Sequence, residues 1–131
     1  MKIVFLDING VLNTTFYHNL KPECLNNLKI LTEKTGAKVV ITSAWRKYEE
    51  SLEAIKKTLT EYNIDVIGST RVLGSRSAEI VAYLEGLSFS YKYVILDDML
   101  IEGFPDNLVL VDRMVGLTNK EVLKAISILQ D

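Results

Sequence analysis

Among its 131 residues the chain has one cysteine, one histidine and one tryptophan, and its formal net charge is only −2. The single cysteine, Cys24, excludes an internal disulfide and suits a reducing, cytoplasmic compartment. Met1-Lys2 leads straight into an apolar stretch, which leaves no room for a signal peptide. No apolar run approaches the roughly 20 residues that cross a bilayer, so no membrane span is expected. The small net charge argues against broad electrostatic affinity for nucleic acid, but not against a local basic pocket. Repeats, low-complexity tracts and linkers are also missing. One domain, 1–131, is therefore expected, large enough to bury roughly two-thirds of the surface its unfolded chain exposes. Cys24 falls within a helical apolar pattern and reads as a small core residue. His18 has no nucleophile beside it and reads as a surface residue.

What is present is a series of short apolar runs separated by amphipathic segments. Ile3 to Leu6 reads as a buried strand that ends at Asp7, and Gly10 then permits a sharp turn. Residues 13 to 20 are polar and aromatic without a period, a short flap over the strand's end. Pro22 suits a helix start, and Cys24, Leu25, Leu28, Leu31 and Thr35 carry a helical face to a stop at Gly36. Ala37 to Ile41 is the second strand. Tyr48, Leu52, Ile55, Leu59 and Tyr62 recur at helical spacing, opposite a charged, solvated face. Ile64 to Ile67 is the third strand, followed by a loop from Gly68 to Gly74. Ser75 is placed to cap a helix whose core face is Ile80, Tyr83, Leu84 and Leu87. Tyr91 to Leu96 and Asn107 to Val111 are the fourth and fifth strands. Thr118 and Glu121 form a capping box for the last helix, with Leu117 and Val122 as its hydrophobic staple.

Five apolar strands alternating with helices predict an α/β fold: a three-layer, Rossmann-like, five-stranded parallel sheet. Right-handed crossovers favour the order 5-4-1-2-3, with Asp7 and Asp97 flanking the switch point. Strand ends then gather Asp7, Thr42-Ser43 and Asp97-Asp98 at one edge, with Arg71 and Arg76 following the third strand. An aspartate after a strand is commonly a turn residue, but chance would scatter such groups over both edges. Together they suit phosphoryl transfer, which needs a nucleophile and neutralisation of charge on the phosphoryl oxygens. Asp7 would be the nucleophile. Asp7, the Asn9 carbonyl, Asp97 and Asp98 would hold Mg²⁺. Thr42 and a guanidinium, Arg76 or Arg71, would bind phosphoryl oxygens.

Asp7-Ile-Asn9-Gly-Val-Leu resembles the first motif of the haloacid dehalogenase-like phosphohydrolases, Asp-x-Asp-Gly-(Val/Thr)-(Leu/Ile). Thr42 is similar to motif two of that superfamily, Arg76 to the basic motif three and Asp97-Asp98 to the acidic motif four. Within it, Thr42-Ser-Ala-Trp-Arg46, Arg76 before Glu79-Ile80, and Gly116-Leu-Thr118 resemble the small capless domains associated with RNA-repair proteins. The resemblance implies an aspartyl-phosphate mechanism with Mg²⁺. Lack of a cap suits a bulky phosphorylated substrate, a nucleotide or nucleic-acid end. Ser43, Trp45, Arg46 and Arg71 are the candidates to contact it. Trp45 either packs against the sheet or offers a stacking platform for a base, with Arg46 as a second phosphate contact.

One residue departs from the motif. Asn9 stands where the family has the aspartate that protonates the leaving group and activates water, and an amide does neither. Either an aspartate has been exchanged to hold substrate or intermediate, or the natural protein has given up turnover and binds phosphate. The intact remaining motifs favour the first. The expected function is a Mg²⁺-dependent phosphomonoesterase scaffold, inactive or very slow in this form. The alternative is a phosphate-sensing or partner-binding module. A phospho-acceptor receiver domain fits less well, because its acceptor lies on the third strand and its acidic pair after the first.

Overall fold

Ile3, Val4, Phe5 and Leu6 are all fully buried, so the first strand, β1 (Lys2–Leu6), has no polar face to offer water. Such a strand is stable only with cover on both sides, and each of these side chains contributes roughly 1.5–3 kcal/mol by leaving water. It takes the centre of the sheet. The computed structural model describes residues 1–130. Its strands are β1, β2 (Lys38–Ile41), β3 (Val66–Ser69), β4 (Lys92–Asp97) and β5 (Leu108–Leu110). They pair in parallel in the order β3-β2-β1-β4-β5. This is the expected winding read from the other edge.

The helices are α1 (Pro22–Thr35), α2 (Glu49–Glu61), α3 (Arg76–Glu85) and α4 (Asn119–Leu129). Alternation along the strands divides the core in two. Val4, Leu6, Val39, Ile41, Val94 and Leu96 pack on the face covered by α1, α2 and α4. Ile3, Phe5, Val40 and Ile95 pack on the other, beneath Ile80 of α3 and the loop residues Ile101 and Phe104. Phe5 meets Tyr83 and Tyr93 edge-on there, with ring centroids 5.6 and 5.9 Å away. The chain winds outward through β2 to β3, then returns by way of α3 to β4 on the far side of β1. That reversal opens a crevice at the carboxyl ends of β1 and β4.

Local signals behave as their chemistry requires. Gly36 ends α1 at φ 74°, its N–H donating to the Thr32 carbonyl at 2.8 Å. Glu121 accepts from the Thr118 N–H at 2.9 Å and so caps α4. Cys24 is buried in the core, and burial pushes its thiol pKa up. No helix among the described residues is long and apolar enough to cross a membrane.

β2, β4 and β5 shift from their expected bounds by a residue at one or both ends, and two further elements differ in ways that matter for packing. The third strand starts at Val66, two residues later than Ile64. Ile64 instead plugs the core directly after α2, its N–H bonded to the Leu59 carbonyl at 2.9 Å, and the β2–β3 register shifts at Val39/Val40. The expected 68–74 loop is correspondingly shorter. The long amphipathic helix begins at Glu49, one residue after Tyr48, where its apolar period starts. A 3₁₀ turn, Ala44–Lys47, precedes it, and Tyr48 is extended and 70% exposed instead of lying on the core face.

Candidate active site at the carboxyl ends of the strands

The sheet's own hydrogen bonds set three polar residues side by side. The Thr42 N–H donates to the Leu6 carbonyl at 2.9 Å, and the Asp7 N–H donates to the Leu96 carbonyl at 3.1 Å. Thr42, Asp7 and Asp97 therefore stand in a row across β2, β1 and β4. Asp98 joins them: one carboxylate oxygen each from Asp7, Asp97 and Asp98 lie within 4.8 Å of one another. Asp7 is 7% exposed and Asp97 0%. Each is oriented by a backbone N–H at 2.9 Å, from Ile8 for Asp7 and from Met99 for Asp97. Gly10 makes room for the cluster. It adopts φ +84°, and a Cβ on it would fall 2.4 Å from Asp98 Oδ2.

Such crowding of carboxylates has an electrostatic signature. The Asp7 pKa is raised from the ordinary 3.8 to about 7, first by burial and then by the charge of Asp97; Arg76 opposes the shift without cancelling it. Asp97 is raised as well, chiefly by burial. Arg76, from the first turn of α3, bonds to Asp97 Oδ2 at 2.5 Å and lies 3.7 Å from Asp7 Oδ1. Arg113 lies 3.4 Å from Asp98 Oδ2. Of the two arginines considered for the basic motif, Arg76 is the one brought to the carboxylates. Arg71 is exposed and lines a separate recess of about 450 Å³ beside Ala82 and Tyr83 of α3.

The Thr42–Arg46 segment divides its work. The Thr42 hydroxyl is fully buried and has no hydrogen-bond partner among the described residues. A buried orphan donor costs about 1–3 kcal/mol, which a ligand oxygen would recover. Ser43 accepts the Trp45 N–H at 3.2 Å and so caps the 3₁₀ turn. Arg46 does not present itself to a ligand, contrary to the expectation of a second phosphate contact. Its guanidinium donates to the carbonyls of Thr42 (2.6 Å), Ser43 (2.8 Å) and Thr70 (2.9 Å) and pairs with Glu79 at 2.7 Å. It clamps the ends of β2 and β3 to α3. Trp45 is partly buried against the core, in line with the packing reading, and its indole N–H reaches Asn9 Oδ1 at 3.1 Å.

Asn9 Oδ1 also accepts from Asn13 Nδ2 at 3.0 Å. Asn13 is the keystone of the turn, because its Oδ1 takes the Gly10 N–H at 2.8 Å and its amide donates to the His18 carbonyl at 2.9 Å. His18 itself is exposed. The sequence reading passed over four residues: Asn13, Glu79 as the partner of Arg46, Arg113, and Thr70. The Thr70 hydroxyl is, like that of Thr42, buried without a partner among the described residues. Asn13 had a signal, an amide in the turn four residues beyond Asn9. Glu79 had a weaker one, spaced one helical turn from Arg76. Arg113 and Thr70 had none, since only the fold brings them near the crevice.

Fold and site together define a haloacid dehalogenase-like domain, with its phosphatase-type scaffold and an acidic cluster at the strand ends. The family model for the HAD domain in Swiss Army Knife RNA repair proteins matches residues 3–122, and the chain belongs to that family. No curated protein and no solved structure matches the chain.

Proposed function

We propose that this domain is a Mg²⁺-dependent phosphomonoesterase scaffold for phosphates at nucleotide or nucleic-acid ends, stalled at the proton-transfer position by Asn9. The observation that carries the reading is the carboxylate cluster beside an unpartnered threonine. Asp7, Asp97 and Asp98 bring carboxylate oxygens within 4.8 Å of one another, burial and then the charge of Asp97 push Asp7 up to about 7, and the Thr42 hydroxyl faces no partner among the described residues.

The donor set fits Mg²⁺. All three groups are hard oxygen ligands, and the positive charge on Arg76 leaves them undercompensated. Bound there, the ion would neutralise charge on the phosphoryl group and lower the pKa of Asp7. The chain's own residues supply the rest. Asp7 attacks phosphorus through the carboxylate oxygen not held by Ile8, and the P–O bond to the leaving group breaks as the aspartyl phosphate forms. Thr42 donates its hydroxyl to one phosphoryl oxygen. Arg76 neutralises another. The leaving oxygen then needs a proton that the Asn9 amide does not supply, and water needs a base to open the acyl phosphate. Binding survives while turnover stalls.

The test is a phosphatase screen of Asn9→Asp against mononucleotides, sugar phosphates and phosphorylated oligonucleotides. Hydrolysis that needs Mg²⁺ and is lost in Asp7→Asn supports the reading. A specific observation favours a second reading, a phosphate-binding module: Asn9 is held by two N–H donors in an ordered site. Mg²⁺-dependent phosphate binding without turnover in Asn9→Asp would select it.

A further inference from the structure

A polar recess of about 270 Å³ adjoins the carboxylate cluster on the side of Asn9, lined by Asn9, Asn13, Thr14, His18, Asp98 and Arg113 among others. We propose that it is a subsite for the phosphodiester next to the terminal phosphate of a nucleic-acid strand, with Arg113 as its anion-binding residue. The proposal rests on the phosphatase-scaffold reading above and extends it to the leaving-group side.

Three observations carry it. The first is direction. On the phosphatase-scaffold reading position 9 meets the leaving oxygen, so the remainder of the substrate would depart over Asn9, and Asn9 lines the recess. The second is charge. Arg113 is half exposed and stands at the recess with one acidic partner among the described residues, Asp98 at 3.4 Å. Asp98 is shared with the candidate metal site, so a cation bound there would compete for it and leave the guanidinium for a second anion. The third is rigidity. Thr15 donates its N–H to the Arg113 carbonyl at 3.0 Å, and Thr14 pairs with Tyr17, so the flap and the Arg113 loop are already joined.

Size and surroundings narrow the ligand. Pockets that enclose a drug-sized molecule run to roughly 300–1,000 Å³, so this recess holds a sugar-phosphate unit and leaves the base outside. The base has somewhere to go. Phe16, on the same flap, is 79% exposed, and base stacking on an exposed aromatic ring tolerates any sequence. A small sugar phosphate has no second phosphate for Arg113 and no base for Phe16. The net charge of −2 does not stand against this, because one guanidinium in a recess acts locally.

Because Asn9 stalls turnover, binding is read directly on the chain as it stands. Calorimetry in Mg²⁺ compares a mononucleotide with the dinucleotide carrying the same terminal phosphate, with 5′- and 3′-phosphorylated pairs measured separately. At least one dinucleotide is expected to bind about tenfold more tightly than its mononucleotide. Arg113→Gln should erase most of that ratio and lower the salt dependence of dinucleotide binding by roughly 0.7 in log–log slope, while Arg113→Lys should keep much of both. Equal affinities for mononucleotide and dinucleotide in both pairs, or a ratio unchanged in Arg113→Gln, overturns the subsite and leaves the phosphatase-scaffold reading standing. Failure to bind any of the four ligands overturns the phosphate site itself, and the subsite with it.

Discussion

The indole N–H of Trp45 donates to Asn9 Oδ1 at 3.1 Å, across the crevice from the 3₁₀ turn to the motif-one loop. Together with Asn13 Nδ2 at 3.0 Å, it makes position 9 a place where one oxygen receives two N–H donors. A carboxylate would be received there at least as well as an amide oxygen, since hydrogen bonds to a charged acceptor are the stronger ones. The two donors at position 9 would therefore hold an aspartate in the place the asparagine now takes.

Asn9→Asp should therefore raise phosphatase activity without disturbing the fold. General acid–base help is typically worth about 10²- to 10⁴-fold. The gain should require Mg²⁺, because the exchange adds a fourth negative charge near Asp7, Asp97 and Asp98. It should be larger for alkyl phosphates, whose leaving oxygen needs protonation, than for aryl phosphates. Steady-state rates on one ester of each kind, with and without metal, decide it. A folded, Mg²⁺-binding Asn9→Asp protein that stays at background on a broad panel would leave only the binding-module reading.

The raised Asp7 pKa makes stability depend on pH in a direction opposite to that of a salt-bridged aspartate. The folded-state value of about 7 lies above the ordinary 3.8, so the native state holds a proton that the unfolded chain releases. The stabilisation from Asp7 is complete below about pH 4 and is lost as pH rises through 7. Metal-free protein should lose stability across that window, and Mg²⁺ should restore it at the upper end. Urea titrations at three pH values, with chelator and with Mg²⁺, read the slope. A metal-free protein that gains stability between pH 5 and 7.5, in a comparison of Asp7→Asn with the unaltered chain, would contradict the assignment.

Much of this architecture was open to a reading of side-chain types, because its determinants are local. Ile3 to Leu6 has no polar face, so it had to be central; Gly36 and the Thr118–Glu121 box marked helix ends by their own chemistry. Asp7, Thr42 and Asp97-Asp98 were legible because strand ends of a parallel sheet converge on one edge. Features that failed were those decided by tertiary packing. Ile64 looked like strand and became a plug. Arg46 looked like a ligand contact, yet two of its four carbonyl partners, those of Thr70 and Arg71, come within reach of its guanidinium only after β2 and β3 have paired. Arg113 reaches Asp98 from fifteen residues further along the chain, with no motif to announce it.

The Arg46–Glu79 pair is an element of the scaffold, with side chains 3% and 6% exposed. Removing one partner of a buried pair strands the other's charge, at about 3–5 kcal/mol. Arg46→Met should be the more damaging change, since it also deprives the Thr42, Ser43 and Thr70 carbonyls of their donor. Arg46→Lys should recover little, because an ammonium lacks the planar fork that spans three carbonyls. Glu79→Gln, which retains an acceptor for the Leu73 N–H, should cost less. Denaturant midpoints of the three variants order them. Equal stability of Arg46→Lys and the unaltered chain would show that the fork is dispensable.

Gly10→Ala should abolish Mg²⁺ binding while leaving the sheet intact. Two independent constraints fall on this residue. Its φ of +84° lies in the left-handed region, where a side chain is strained. Its Cα also backs directly onto Asp98, so an alanine Cβ would sit 2.4 Å from Oδ2 and 2.7 Å from Cγ of that residue. One of the two must move, and Asp98 is the softer because it lies in a loop beyond β4. Displacing it by even an ångström takes an oxygen out of a cluster whose members lie within 4.8 Å of one another, and Mg²⁺ tolerates little departure from octahedral geometry. The cost to folding should be modest, about 1–3 kcal/mol, because the hydrophobic core is untouched. Calorimetric Mg²⁺ titration beside a thermal melt separates the two effects. A Gly10→Ala protein with full Mg²⁺ affinity would mean that Asp98 contributes no ligand and that Asp7 and Asp97 hold the ion between them.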